Sequence, residues 1–147
     1  GGVPERIKLI GALSLVGVLG VIGLRTYFVE MPERYPPDLE NAMFWQAQAL
    51  PRNATLMLIT SNELPADYRP WGVREFDLPV AFMRLPPGEL AANPNAWRVA
   101  CANGCEIFVQ AADYAAASSG LQQTFGAGTL VQYPPNGEPQ FYRFVQP

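Results

Sequence analysis

Cys101 and Cys105 stand four positions apart, with Ala102-Asn103-Gly104 between them. Around a tight turn that spacing can bring two Cα atoms within disulfide reach. Such a bond persists outside the cytoplasm, and the pair is read as a disulfide, with a free buried pair as the alternative. Two thiolates with no histidine and no further cysteine leave a zinc site unfinished, and the Cys-x-x-Cys-His signature of c-type haem is absent. The chain contains no histidine at all. That excludes a Ser-His-Asp triad, a histidine general base and a histidine haem ligand. Glu63, Asp67, Glu75 and Asp77 share one segment and have the chemistry for acid–base work. Their neighbours Arg69 and Arg74 favour solvated loop charges instead. Asn53-Ala54-Thr55 matches the glycosylation sequon, although a helix-to-strand turn accounts for it better. No phosphate loop and no dinucleotide-binding glycine pattern occurs. No catalytic residue, cofactor or metal is therefore expected. Tyr68, Trp71 and Phe76 remain, and they suit either a docking surface, since tryptophan, tyrosine and arginine are typical anchors, or closure of the domain's own core.

The elements that must carry these residues follow a stretch of another kind. Leu9–Leu24 holds sixteen residues without a charge, and Ile7–Val29 extends it to twenty-three with Lys8 and Arg25 near its ends. A bilayer span needs about 20 apolar residues, long basic side chains snorkel outward, and Tyr27 and Phe28 sit where an interfacial aromatic belt belongs. The sequence predicts one transmembrane helix. A cleaved signal peptide fits less well, because the apolar run is long and no small-x-small site follows. Gly11, Ser14, Gly17, Gly20 and Gly23 recur every third position, forming a row of small residues against which neighbouring membrane helices can pack. Arg6 and Lys8 before the span tie with Arg25 and Arg34 after it. The short basic leading flank favours a cytoplasmic N-terminus and an extracytoplasmic domain.

From Glu30 onward the 118 residues carry seven arginines against twelve acids, a net charge of −5. That argues against nucleic acid as a partner and leaves enough chain to bury a core. The expected organisation is an anchor over residues 1–29, a proline-bearing linker over 30–37, and an extracytoplasmic domain over 38–147. Asp38 caps a helix running to about Ala49, with Leu39, Ala42, Met43 and Leu50 inward. Thr55–Thr60 reads as a continuously apolar, buried strand and Val80–Leu85 as a second. Between them lies a long irregular segment, of the kind that is often functional. Trp97–Gln110 reads as a β-hairpin around Asn103-Gly104. Asp113 caps a helix to about Phe125, and Thr129–Tyr133 with Gln140–Val145 forms a closing hairpin. The fold class is a single N-terminal transmembrane helix followed by a small α/β (or α+β) domain with a mixed sheet.

The layout also resembles a known family. A last membrane helix, a proline-bearing linker, the run AQALPRNATLMLIT and the closing LQQTFGAGTLVQYPPNGEPQFYRF are similar to the C-terminal region of bacterial polytopic glycosyltransferases that use polyprenyl-phosphate sugars. The likeness runs from about Val16 onward and rests on pattern rather than an invariant motif. It implies a small extracytoplasmic α/β domain behind a membrane helix. The family's catalytic carboxylate lies before the matched region, so no residue here inherits it. Two functions are expected in turn. The first is a non-catalytic, single-pass accessory subunit in the inner membrane of a bacterial cell, embedded in the lipid bilayer beside other transmembrane subunits and stabilising a larger complex. An electron-transfer assembly of the alternative complex III type would suit such a subunit, though no residue points to it specifically. The second is a C-terminal fragment of a glycosyltransferase whose catalytic part is missing.

Overall fold

A computed structural model describes residues 5–26 and 38–146. The chain divides into two units, Gly1–Pro36 and Pro37–Pro147. In the first, α1 runs over Glu5–Arg25, and side chains are described from Leu13 onward. Those side chains are exposed on every side, the large ones between Val18 at 55% and Val16 at 67%. A β-carbon added at Gly17, Gly20 or Gly23 would meet nothing within 4 Å. Ser14 of the same row is exposed as well, while the surroundings of Gly11 lie outside the described residues.

The expected membrane crossing is not met here. Among the described residues no helix is long and apolar enough to cross a membrane. The end of the stretch read as a span, including Tyr27 and Phe28, and the linker over 30–37 lie outside the described residues.

The second unit is a small α/β domain. Asp38 accepts a hydrogen bond from the Asn41 N–H and opens α2, Leu39–Ala49, as a side-chain N-cap does. Strand β1, Thr55–Ile59, follows, and every one of its residues is buried. The long segment after it contains a short helix, α3, Trp71–Glu75, before β2, Ala81–Leu85. Helices α4, Glu89–Ala92, and α5, Pro94–Ala100, lead to β3, Cys105–Gln110. A 3-10 turn over Ala111–Asp113 precedes α6, Tyr114–Phe125, and the hairpin of β4, Thr129–Tyr133, and β5, Phe141–Val145, closes the chain.

The five strands form one mixed sheet in the order β2-β1-β3-β5-β4. β1 is parallel to both β2 and β3, while β5 is antiparallel to β3 and β4. A parallel strand covered on both faces reads as an unbroken apolar run, which is why Thr55–Ile59 shows no alternation. Its side chains divide between two cores. Leu56 and Leu58 pack with Ala42, Met43, Val73, Phe108 and Phe141 under α2 and α3. Met57 and Ile59 pack with Leu90, Val109, Ala117, Leu121 and Phe144 under α4 and α6.

One expectation fails in this unit, and a second, the cap at Asp113 of a helix ending at Phe125, holds in position but not in its side-chain bond. Trp97–Cys101 is not the first arm of a hairpin. Residues 97–100 belong to α5, with Cys101 as its C-cap, and the helix has Pro94 in its first turn, where a missing N–H costs nothing. Trp97 and Cys101, four apart, both lean on the second core, as neighbours on one helix face do. The turn at Asn103-Gly104 exists, with Gly104 at φ +105°, but it joins a helix to a strand. The Asp113 side chain makes no capping bond to its helix. Its Oδ2 accepts instead from the Ser61 N–H at 2.8 Å, tying β1's far end to the start of α6.

Candidate functional site

Helix α2 spends Ala42, Met43 and Ala47 on the core. Residues 44 and 45 then point away from that arc, because each step turns the helix about 100°. Trp45 is 63% exposed, and Trp71 and Phe76, at the two ends of α3, are 54% and 58% exposed. Phe44 stands between them. Its ring stacks on Phe76 at 5.2 Å and lies 5.7 Å from that of Trp45. Trp71 meets Phe76 edge-on at 6.2 Å. Four aromatic rings thus share one surface built from two helices that are far apart in sequence.

The approach of α3 to α2 depends on Gly72. Any β-carbon there would overlap the Phe44 ring, so only glycine lets the two helices close. Glu40, on the first turn of α2, fixes the same junction. One carboxylate oxygen accepts from the Trp71 N–H at 2.8 Å, and the other accepts from the Tyr68 hydroxyl. Burial first, then this hydrogen bond and the charge behind it, raise the Tyr68 phenol above its ordinary value. Around the rings, Arg74, Glu75 and Asp77 are all exposed, which gives the patch the polar rim typical of interfaces.

A second set of polar groups lies at the carboxyl ends of the parallel strands. The Thr60 hydroxyl and the Asn62 side-chain amide both donate to Gln110 Oε1, at 2.6 and 2.9 Å. The Asn62 N–H donates to Thr60 Oγ1 at 3.0 Å. These bonds close on one another. Beside them is a cavity of about 280 Å³ lined by Leu64, Pro65, Ala66, Tyr68, Phe82 and Arg84.

The residues singled out in the sequence fall as follows. Cys101 and Cys105 are joined in a disulfide, with Cα atoms 4.9 Å apart, that links the end of α5 to the start of β3. Trp71 and Phe76 share the exposed surface, whereas Tyr68 is half-buried between Glu40 and Phe82. Glu63, Asp67, Glu75 and Asp77 are exposed. Asn53, at φ +63°, sits in the turn before β1. Among the described residues no cluster of three or more acids or cysteines suits a metal ion. Phe44 and Trp45 went unnoticed in the sequence, although the crowded inward arc of α2 was the signal for them. No known protein family, curated protein or solved structure matches the chain.

Proposed function

We propose that this chain is a non-catalytic membrane accessory subunit, and that its α/β domain docks through the surface of Phe44, Trp45, Trp71 and Phe76 onto a larger membrane protein. The observation that carries this is the four-ring patch itself. Three large aromatic side chains, each more than half exposed, are costly to leave in water and are the residue types that dominate binding energy. The occupant is a protein rather than lipid headgroups. From Glu30 on, the chain has net charge −5, which an anionic membrane surface repels. No described helix is long and apolar enough to cross a membrane, so in this reading the apolar run Leu9–Leu24 holds the chain to its host by packing its row of small residues against the host's transmembrane helices. The extracytoplasmic side is assigned on the short basic leading flank.

The test is copurification of the full chain from its native membranes in mild detergent, with Trp45→Ser and Phe76→Ser combined as the variant. Both side chains are exposed, so the fold should survive, as circular dichroism will check. The wild type should elute with large companions and the variant largely without them. A wild type that runs alone and monomeric overturns the proposal, as does a variant retained as well as the wild type. The rival reading, a glycosyltransferase fragment, requires a native polypeptide several times longer, which intact mass decides.

A further inference from the structure

We propose that the cavity beside Arg84 binds a small organic monoanion, a carboxylate carried on an apolar body. Arg84 lies near the carboxyl end of β2, and the loop that follows β1 supplies Leu64, Pro65, Ala66 and Tyr68 as the facing wall. The cavity volume, about 280 Å³, is just below the range of about 300–1,000 Å³ usual for drug-sized ligands, so a fragment-sized molecule fits.

The charge in the cavity is poorly satisfied. Among the described residues no carboxylate pairs with Arg84. Its one hydrogen bond is a long one, from Nη2 to the Ser61 carbonyl at 3.4 Å. Its Nε is buried with no acceptor. A shielded N–H without a partner is costly to the protein that holds it. A carboxylate that draws the guanidinium into the cavity lets Nε and Nη donate together, the two-pronged geometry that arginine and carboxylates favour. Leu64, Pro65 and the Phe82 ring then cover the ligand's apolar part. A dianion is disfavoured, because the cavity lining has a single cation and the surrounding domain is acidic. The Tyr68 hydroxyl is already committed to Glu40 and acts as wall rather than donor. None of this requires the docking surface to have a partner.

The experiment titrates the full-length, isotope-labelled chain in detergent with benzoate, benzamide and inorganic phosphate, following the Arg84 Nε–H and the Leu64 and Ala66 amides by NMR. Benzoate should shift these signals saturably. Benzamide, which has the same shape without the charge, should bind at least about tenfold more weakly, and so should phosphate, which lacks the apolar body. Arg84→Gln should remove saturable benzoate binding. Ala66→Phe, at an exposed position, should block it by filling the cavity while keeping Arg84. The proposal is overturned if benzoate does not saturate up to its solubility limit, or if benzamide or phosphate binds as well. Benzoate binding retained by a folded Arg84→Gln or Ala66→Phe variant also overturns it.

Discussion

Tyr68 shows how a single side chain reports on the whole junction between α2 and the loop after β1. Its phenol is held above the ordinary value of about 10 by burial, and further by the hydrogen bond to Glu40 and the charge of that carboxylate. The folded chain therefore binds the phenolic proton more tightly than the unfolded chain does. The associated stability is fully present below about pH 10, and it is lost as pH rises from there through the higher folded value. Urea midpoints measured from about pH 8 upward should stay level and then fall, and Tyr68→Phe should remove part of that fall. An identical alkaline profile in the variant would show that the phenol contributes nothing. Arg143 illustrates the opposite case, a paired charge. Its Nε and Nη2 each meet Glu106 at 2.8 Å across β5 and β3, and this bond, the largest influence on it, raises its already high pKa.

At the scale of elements, the α5–β3 corner is where a covalent link adds most to a weak local structure. Helix α5 buries none of its seven residues fully. It is held by the Arg98 Nε and Nη2 donating to the Thr124 and Gln123 carbonyls at 2.6 and 2.7 Å, and by the disulfide at its end. The bridge closes a loop with a sequence separation of four. Loop-closure entropy for so short a ring is worth about 2 kcal/mol. Cys101→Ser with Cys105→Ser should lower the unfolding free energy by that amount, seen as a lower urea midpoint with little change in slope, and a loss near zero would show that the turn forms as well without the bridge. The same corner marks the limit of what the sequence made legible. β1, β2, the closing hairpin and helices α2 and α6 all declared themselves through apolar runs, caps and turn residues. In Trp97-Arg98-Val99-Ala100-Cys101 the apolar Trp97, Val99 and Cys101 fall at alternate positions and so imitate a strand. A helix that contributes only Trp97 and Cys101 to the core has too little periodicity to betray itself. Phe44 and Trp45 were obscured for a related reason. They adjoin inward residues in the chain, and only the pairing of α2 with α3 shows that they face out together. The Arg84 cavity had no sequence signal, because its walls come from a loop and a strand brought together by parallel pairing.

At the scale of the molecule, the chain combines an apolar helix with all its described side chains exposed and an acidic α/β domain with an exposed aromatic face. Gly17 and Gly20 border open space, so Gly17→Leu with Gly20→Leu should leave the urea midpoint of the domain unchanged. If neighbouring membrane helices seat on the small-residue row, the same variant should lose companions during detergent copurification. Undiminished retention would remove that row from the interface and leave the aromatic face to account for assembly.

Glu40 has a consequence that reaches beyond any single measurement. One carboxylate steadies both Tyr68, which walls the cavity, and Trp71, which belongs to the aromatic face. The two surfaces are therefore not free to drift separately as the sequence diverges. In any lineage descended from this chain, replacement at position 40 should travel with replacements at 68 and 71, and selection for one surface should preserve the other as a by-product.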